Sequence, residues 1–249
     1  MYRPVEPARM LDFKGCKLVL PCVSVGNVAQ LTVDLLVATL KMEHIGHLYD
    51  ECFLPLVCHS AFDHTRGAVS TSAEVYMTSD QQLVVVQLRS PIAKGKEKRF
   101  VKLILDWIKA ACFSDLVILT TTYAHERLDQ QITSGCSCRF VTAPTFPHYK
   151  HLTDELGWIL LEKRQPEGRD ELFLPGGGVA KLMYQESITA EVRVTLLIKF
   201  TSQGDNSSDA RELADYFNQW VMIKQPTAKW STPTYWSLMF GNPTPPDIY

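Results

Sequence analysis

The sequence has no surplus of positive charge: Lys and Arg number 25 against 27 Asp and Glu, a formal net charge of −2 over 249 residues. A general nucleic-acid binder needs clustered excess cations, so that class is excluded. No run approaches ~20 apolar residues, so no segment reads as spanning a membrane. The opening Met1-Tyr-Arg-Pro-Val-Glu-Pro-Ala-Arg9 has no apolar core and does not read as a secretory signal. No repeat, low-complexity tract or Gly- and Pro-rich linker divides the chain. One domain over residues 1–224 is expected, followed by a distinct segment, 225–249.

Complete zinc-ligand spacings are also missing. The seven cysteines are Cys16, Cys22, Cys52, Cys58, Cys112, Cys136 and Cys138. The pair Cys136/Cys138 and the group Cys52, Cys58 and His59 lack the paired C-x₂-C or H-x₃₋₅-H pattern of zinc sites. His44 and His47, like His148 and His151, stand three apart with no third ligand at a recognisable distance. No metal is therefore expected. An odd cysteine count without a secretory signal points to free thiols in a reducing compartment.

What is present is hydrophobic patterning: 46% hydrophobic and 21% charged residues mark a globular chain. Lys17 to Val23 reads as a buried strand. Ser24-Val-Gly26-Asn27 reads as a turn with helix-capping side chains, opening a helix over 28–41 that is apolar nearly all round. Short strands are expected at Ile45 to Tyr49 and Phe53 to Val57, and a hairpin at Ser72 to Met77 and Leu83 to Leu88. From Lys94 to Ala111, Phe100, Leu103, Ile104, Trp107, Ile108 and Ala111 recur at spacings of three and four, which predicts an amphipathic helix. Leu116 to Thr121 is a continuous apolar and β-branched run, the mark of a central parallel strand. Shorter strands follow at Arg139 to Thr142 and Trp158 to Leu161, then a loop over 165–170. A helix from the glycines at 176–178 to Ser187, a strand from Glu191 to Phe200, and a helix opened at Gly204 and running to Lys224 complete the pattern. Alternating strands and helices predict an α/β protein with a mixed, largely parallel sheet between helical layers.

Two constellations suggest catalysis. Cys22-Val-Ser24-Val-Gly26 approaches the nucleophile elbow but has Cys22 where that motif needs glycine, and His125 and Asp129 would have to complete the triad. The glycines Gly176, Gly177 and Gly178 before a helix could cradle an anion, as in a phosphorylase- or hydrolase-like enzyme. No Lys-Ser or Lys-Thr follows, and the later glycine of the dinucleotide fingerprint is missing. The simpler reading makes Gly26, Asn27, Gly176, Gly177, Gly178 and Gly204 structural turns. With no convincing catalytic set, a binding protein without a cofactor is favoured.

Several segments resemble the proteasome assembly chaperones. They are Leu20-Pro-Cys-Val-Ser-Val-Gly-Asn-Val-Ala-Gln-Leu31, Ala73-Glu-Val-Tyr76, Leu83-Val-Val-Val-Gln-Leu-Arg-Ser90, Leu174-Pro-Gly-Gly-Gly-Val-Ala-Lys181, Leu197-Ile-Lys-Phe-Thr-Ser-Gln-Gly-Asp-Asn206 and Trp236-Ser-Leu-Met-Phe-Gly241 with Pro245 and Pro246. They run in order from about Leu18 to Pro246. The resemblance implies a three-layer α/β/α sandwich like that of nucleoside phosphorylases and a non-enzymatic role in the cytoplasm and nucleus. It implies a heterodimer with proteasome assembly chaperone 1 that binds proteasome α-type subunits and promotes α-ring formation. Such pairing calls for an apolar patch, whose location the sequence does not reveal.

Residues 225–249 hold two charged side chains, Lys229 and Asp247, and the aromatics Trp230, Tyr235, Trp236, Phe240 and Tyr249. So many exposed aromatics would be a liability, so Trp230, Trp236, Leu238 and Phe240 are expected to dock on the body. Pro245-Pro246 would hold the tip, Asn242 to Tyr249, extended. Some relatives end in a hydrophobic residue, a tyrosine and one more residue, a tail that enters pockets between α-subunits. Here Ile248 and Tyr249 match, and the final residue is missing.

Overall fold

The computed structural model describes residues 2–62, 68–143, 146–163 and 172–238. Among the described residues are ten strands: β1 (Tyr2–Pro4), β2 (Lys17–Pro21), β3 (Glu43–Leu48), β4 (Val57–His59), β5 (Val69–Thr71), β6 (Ala73–Met77), β7 (Leu83–Leu88), β8 (Asp115–Tyr123), β9 (Cys138–Thr142) and β10 (Val194–Thr201). The α-helices are α1 (Val28–Leu40), α2 (Glu97–Ala110), α3 (Asp129–Thr133), α4 (Ala180–Thr189) and α5 (Ser207–Val221). Eight strands form one sheet in the order β1-β3-β6-β7-β2-β8-β10-β9, and β4 and β5 form a separate ribbon. The parallel pairs are β7–β2, β2–β8 and β8–β10. Every strand outside that central four is antiparallel to its neighbour.

The central strands are apolar along their whole length because helices cover both faces, and alternate side chains serve opposite cores. Leu18, Leu20, Leu116, Ile118, Leu196 and Ile198 meet α2 and α4, where Phe100, Ile104, Trp107 and Met183 are buried. Val19, Val117, Leu119 and Leu197 meet α1 and α5 through Val33, Leu36, Leu213 and Phe217. Full burial of a side chain such as Phe100 or Ile104 contributes about 1.5–3 kcal/mol. Gly46 lets the N-terminus reach the sheet: a Cβ there would run into the Tyr2 ring and the Arg3 carbonyl, closing off the β1–β3 edge.

Several elements differ from the sequence expectation. Neither Ser24 nor Asn27 caps α1 through its side chain; Asn27 is left-handed (φ 54°) and the helix begins beyond it. Phe53 to Val57 contains Pro55, which cannot donate to a ladder, and is no continuous strand: Phe53 bridges to Ile92 and Val57 opens β4. Trp158 to Leu161 likewise reduces to a bridge between Phe140 and Leu160. Gly176 and Gly178 are left-handed, so α4 starts at Ala180; Glu191 (φ 57°) is left-handed too, so β10 starts at Val194. α2 begins at Glu97, and α5 ends before a left-handed Met222. β1, β5 and the short α3 were not expected. The loop over 165–170 lies outside the described residues.

Candidate functional site

The glycine turn lies across the loop that follows β2. Thr120 Oγ1 donates to Gly177 O at 3.0 Å, Thr122 Oγ1 to Pro175 O at 3.0 Å, and Val25 N to Gly176 O at 3.1 Å. The Gly177 amide donates to Leu174 O at 3.1 Å. A Cβ on Gly176 would strike Val25 and Tyr123, and one on Gly178 would strike the Val23 carbonyl. Glycine is needed here because two loops close on each other where a Cβ would stand. The positive φ of Gly26, Asn27, Gly176, Gly178 and Gly204 also makes these positions turns, with Gly177 held between two of them.

Ser24 is not poised as a nucleophile. Its Oγ accepts the Thr121 amide at 3.2 Å and lies 2.8 Å from the Thr121 hydroxyl, which donates to Val25 O at 2.7 Å. His125 packs instead on the Tyr123 ring and stands beside Glu126. No hydrogen bond among these described residues joins Ser24, His125 and Asp129. Burial pushes the Cys22 thiol, beneath the same loop, up to about 12, the reverse of what nucleophilic catalysis needs.

A polar centre that sequence reasoning missed fixes the C-terminal segment. Asp34 is fully buried on α1. Its carboxylate accepts Gln87 Nε2 at 2.6 Å, two Arg89 nitrogens at 2.8 and 3.3 Å, the Tyr235 hydroxyl, and Trp236 Nε1 at 3.4 Å. Burial disfavours the Arg89 charge, but Asp34 and Tyr235 outweigh it and raise its pKa above the ordinary value. Burial, then Asp34, raises that of Tyr235. Trp230 Nε1 donates to Asp215 at 2.7 Å beneath the Lys224 ammonium, and Ser231 N donates to Thr39 Oγ1 at 2.9 Å. Trp230 and Trp236 therefore dock as expected. The Leu238 side chain, Phe240, Ile248 and Tyr249 lie outside what is described. The one sequence signal of this centre is a lone aspartate in the apolar stretch Val33-Asp34-Leu35-Leu36.

An apolar surface stands open beside the ribbon. The pairing of Val57 with Thr71 and of His59 with Val69 puts Val57 and Val69 on one ribbon face. Val57 and Tyr49 are each 75% exposed, and Val69 and Leu54 are exposed too. A depression of about 860 Å³ runs alongside, lined by Tyr49, Phe53, Pro55, Leu56 and Val57 among others.

Residues 18–203 match the PAC2 family model. The chain is 38% identical over 251 residues to "Proteasome assembly chaperone 2" of Danio rerio, covering 96% of both chains. It is 35% identical to the protein of that name in Homo sapiens, again over 96% of each. Among solved structures, Pyrococcus furiosus PbaA, an archaeal homolog of proteasome-assembly chaperone, superposes with a TM-score of 0.68. That match has 14% identity and covers 90% of this chain and 88% of that one. P. furiosus PbaB, an archaeal proteasome activator, superposes at 0.64, with 14% identity and 90% coverage of both. These two likenesses concern the fold, which they place in the α/β class.

Proposed function

The chain belongs to the PAC2 family, and from that premise we propose that it is a chaperone of proteasome assembly, acting by binding and not by catalysis. Near full-length similarity to proteins named Proteasome assembly chaperone 2 carries this reading. The enzyme alternative has no geometric support, since the glycines serve the close approach of two loops and Ser24 is tied to Thr121.

In finer detail, the chain pairs with proteasome assembly chaperone 1, and the heterodimer binds α-type subunits and promotes formation of the α-ring. The open apolar surface around Tyr49, Val57 and Val69 supports a protein-binding role, because monomers rarely leave such side chains grouped in solvent. Anchoring of Tyr235 and Trp236 supports a role for the tip beyond them, with Ile248 and Tyr249 entering an α-subunit pocket. Free thiols suit the cytoplasm and nucleus, both reducing compartments.

Affinity purification in mild salt followed by mass spectrometry tests the reading. Proteasome α-subunits are expected without mature β-subunits; recovery of no proteasome subunit would overturn it. Deleting Ile248 and Tyr249 is expected to weaken α-subunit binding while pairing with proteasome assembly chaperone 1 persists. Unchanged affinity would exclude the tail.

A further inference from the structure

The pairing of β3 with β6 slips by one residue. His44 lies opposite Tyr76, Gly46 opposite Val75, and His47 opposite Glu74. In an unbroken strand, residues three apart face opposite sides of the sheet; the extra residue of this bulge, Ile45, turns His44 and His47 to the same side. Their rings meet edge to face with centroids 4.6 Å apart. Glu74 joins them from the neighbouring strand, and one ligand atom from each of the three lies within 4.8 Å of the other two. No other such triple of His, Cys, Asp or Glu occurs among the described residues.

Among the described residues, only neutral donors hydrogen-bond to the Glu74 carboxylate. Its side chain is on a residue only 1% exposed, and its carboxylate accepts the Tyr76 hydroxyl at 2.9 Å and the Thr71 amide at 3.1 Å, both neutral. Among the described residues no Lys or Arg forms an ion pair with it. A buried carboxylate held only by neutral donors is costly. A neutral imidazole offers a lone pair that can bind a metal. The hydrogen bonds engage one nitrogen of each imidazole and leave the other. His47 Nδ1 lies 3.0 Å from Thr71 Oγ1, leaving Nε2 for a metal; His44 Nε2 lies 3.1 Å from Gly46 O, leaving Nδ1. Thr71 thus orients His47 and Glu74, Tyr76 also holds Glu74, and the Gly46 carbonyl orients His44, the outer-shell arrangement that fixes metal ligands.

We propose that His44, His47 and Glu74 form a binding site for one divalent transition-metal ion of the zinc class, with a fourth position for water or a side chain of a bound protein. Two imidazoles and a carboxylate, without thiolate, suit zinc and its borderline neighbours over soft ions such as Cu(I), or Mg²⁺, which needs several oxygens. The ion supplies the charge that Glu74 lacks and clamps β3 to β6 at the bulge.

Cobalt(II) titration of the metal-free full-length chain under reducing conditions, then displacement by Zn²⁺ in a calorimeter, tests this. One equivalent is expected to bind, with visible d–d absorption but no thiolate-to-cobalt charge-transfer band. His44→Gln, at a half-exposed ligand, is expected to weaken Zn²⁺ binding roughly 10-fold or more while circular dichroism stays unchanged. Cys136→Ser with Cys138→Ser is expected to leave binding intact. A charge-transfer band abolished by the cysteine substitutions, equal affinity in His44→Gln and wild type, or no saturable binding would each overturn the site. Should Glu74→Gln fail to fold, His47→Gln serves as the second ligand variant, with the same expectation.

Discussion

At the scale of single residues, Asp34 carries an unusual burden: one carboxylate accepts from four side chains, two of them about 200 positions later in the chain. Asp34→Ala strands the largely buried Arg89 without its counter-charge, so a loss of about 3–5 kcal/mol in unfolding free energy is expected from urea denaturation. A loss below about 1 kcal/mol would show that water replaces the carboxylate without penalty. The thiols also separate by environment. Burial pushes Cys22, Cys52 and Cys138 up to about 12, whereas Cys58 and Cys112 are exposed. Because the thiolate is the reactive form, iodoacetamide at neutral pH is expected to modify Cys58 and Cys112 first, and the three buried thiols only on unfolding, as peptide mass mapping can check.

Elements were legible where a local period decides them. The three-and-four spacing of Phe100, Ile104, Trp107 and Ile108 marks α2 because each of these residues is buried against the sheet. Leu116 to Thr121 marks β8 because a strand covered on both faces tolerates no polar alternation. Trp107→Ala is therefore expected to cost about 3–5 kcal/mol, measured by chemical denaturation. Features set by distant partners left no such trace. β1 is three residues long and exists only because Gly46 admits it to the edge of β3. Asp34, Arg89 and Tyr235 share no spacing, and His44 and His47 would face apart without the bulge at Ile45. The glycine turn was legible as a turn, but its purpose, close approach of two loops, needed the Val23 carbonyl in view. Gly178→Ala combines that collision with a φ of 60°, so destabilisation beyond about 1 kcal/mol is expected in a thermal melt.

For the whole molecule, the stretch from Trp230 to Trp236 belongs to the body. A chain ending at residue 224 loses Trp230, Tyr235 and Trp236 and leaves Asp34 and Arg89 short of partners. Its melting temperature is expected to fall by on the order of 10 °C. Equal melting of that chain and the 249-residue chain would mean that the docked aromatics contribute nothing to the fold.

The same carboxylate sets a schedule for synthesis. When α1 and β7 leave the ribosome, Asp34 can meet Gln87 and Arg89, but Tyr235 and Trp236 have yet to be made. β2 also waits for β8, and β8 for β10, because parallel neighbours arrive only after long crossovers. The nascent chain therefore carries an incomplete polar core until Tyr235 and Trp236 emerge. Release of that segment, and not the completion of β10 or α5, is the moment at which the Asp34 centre closes.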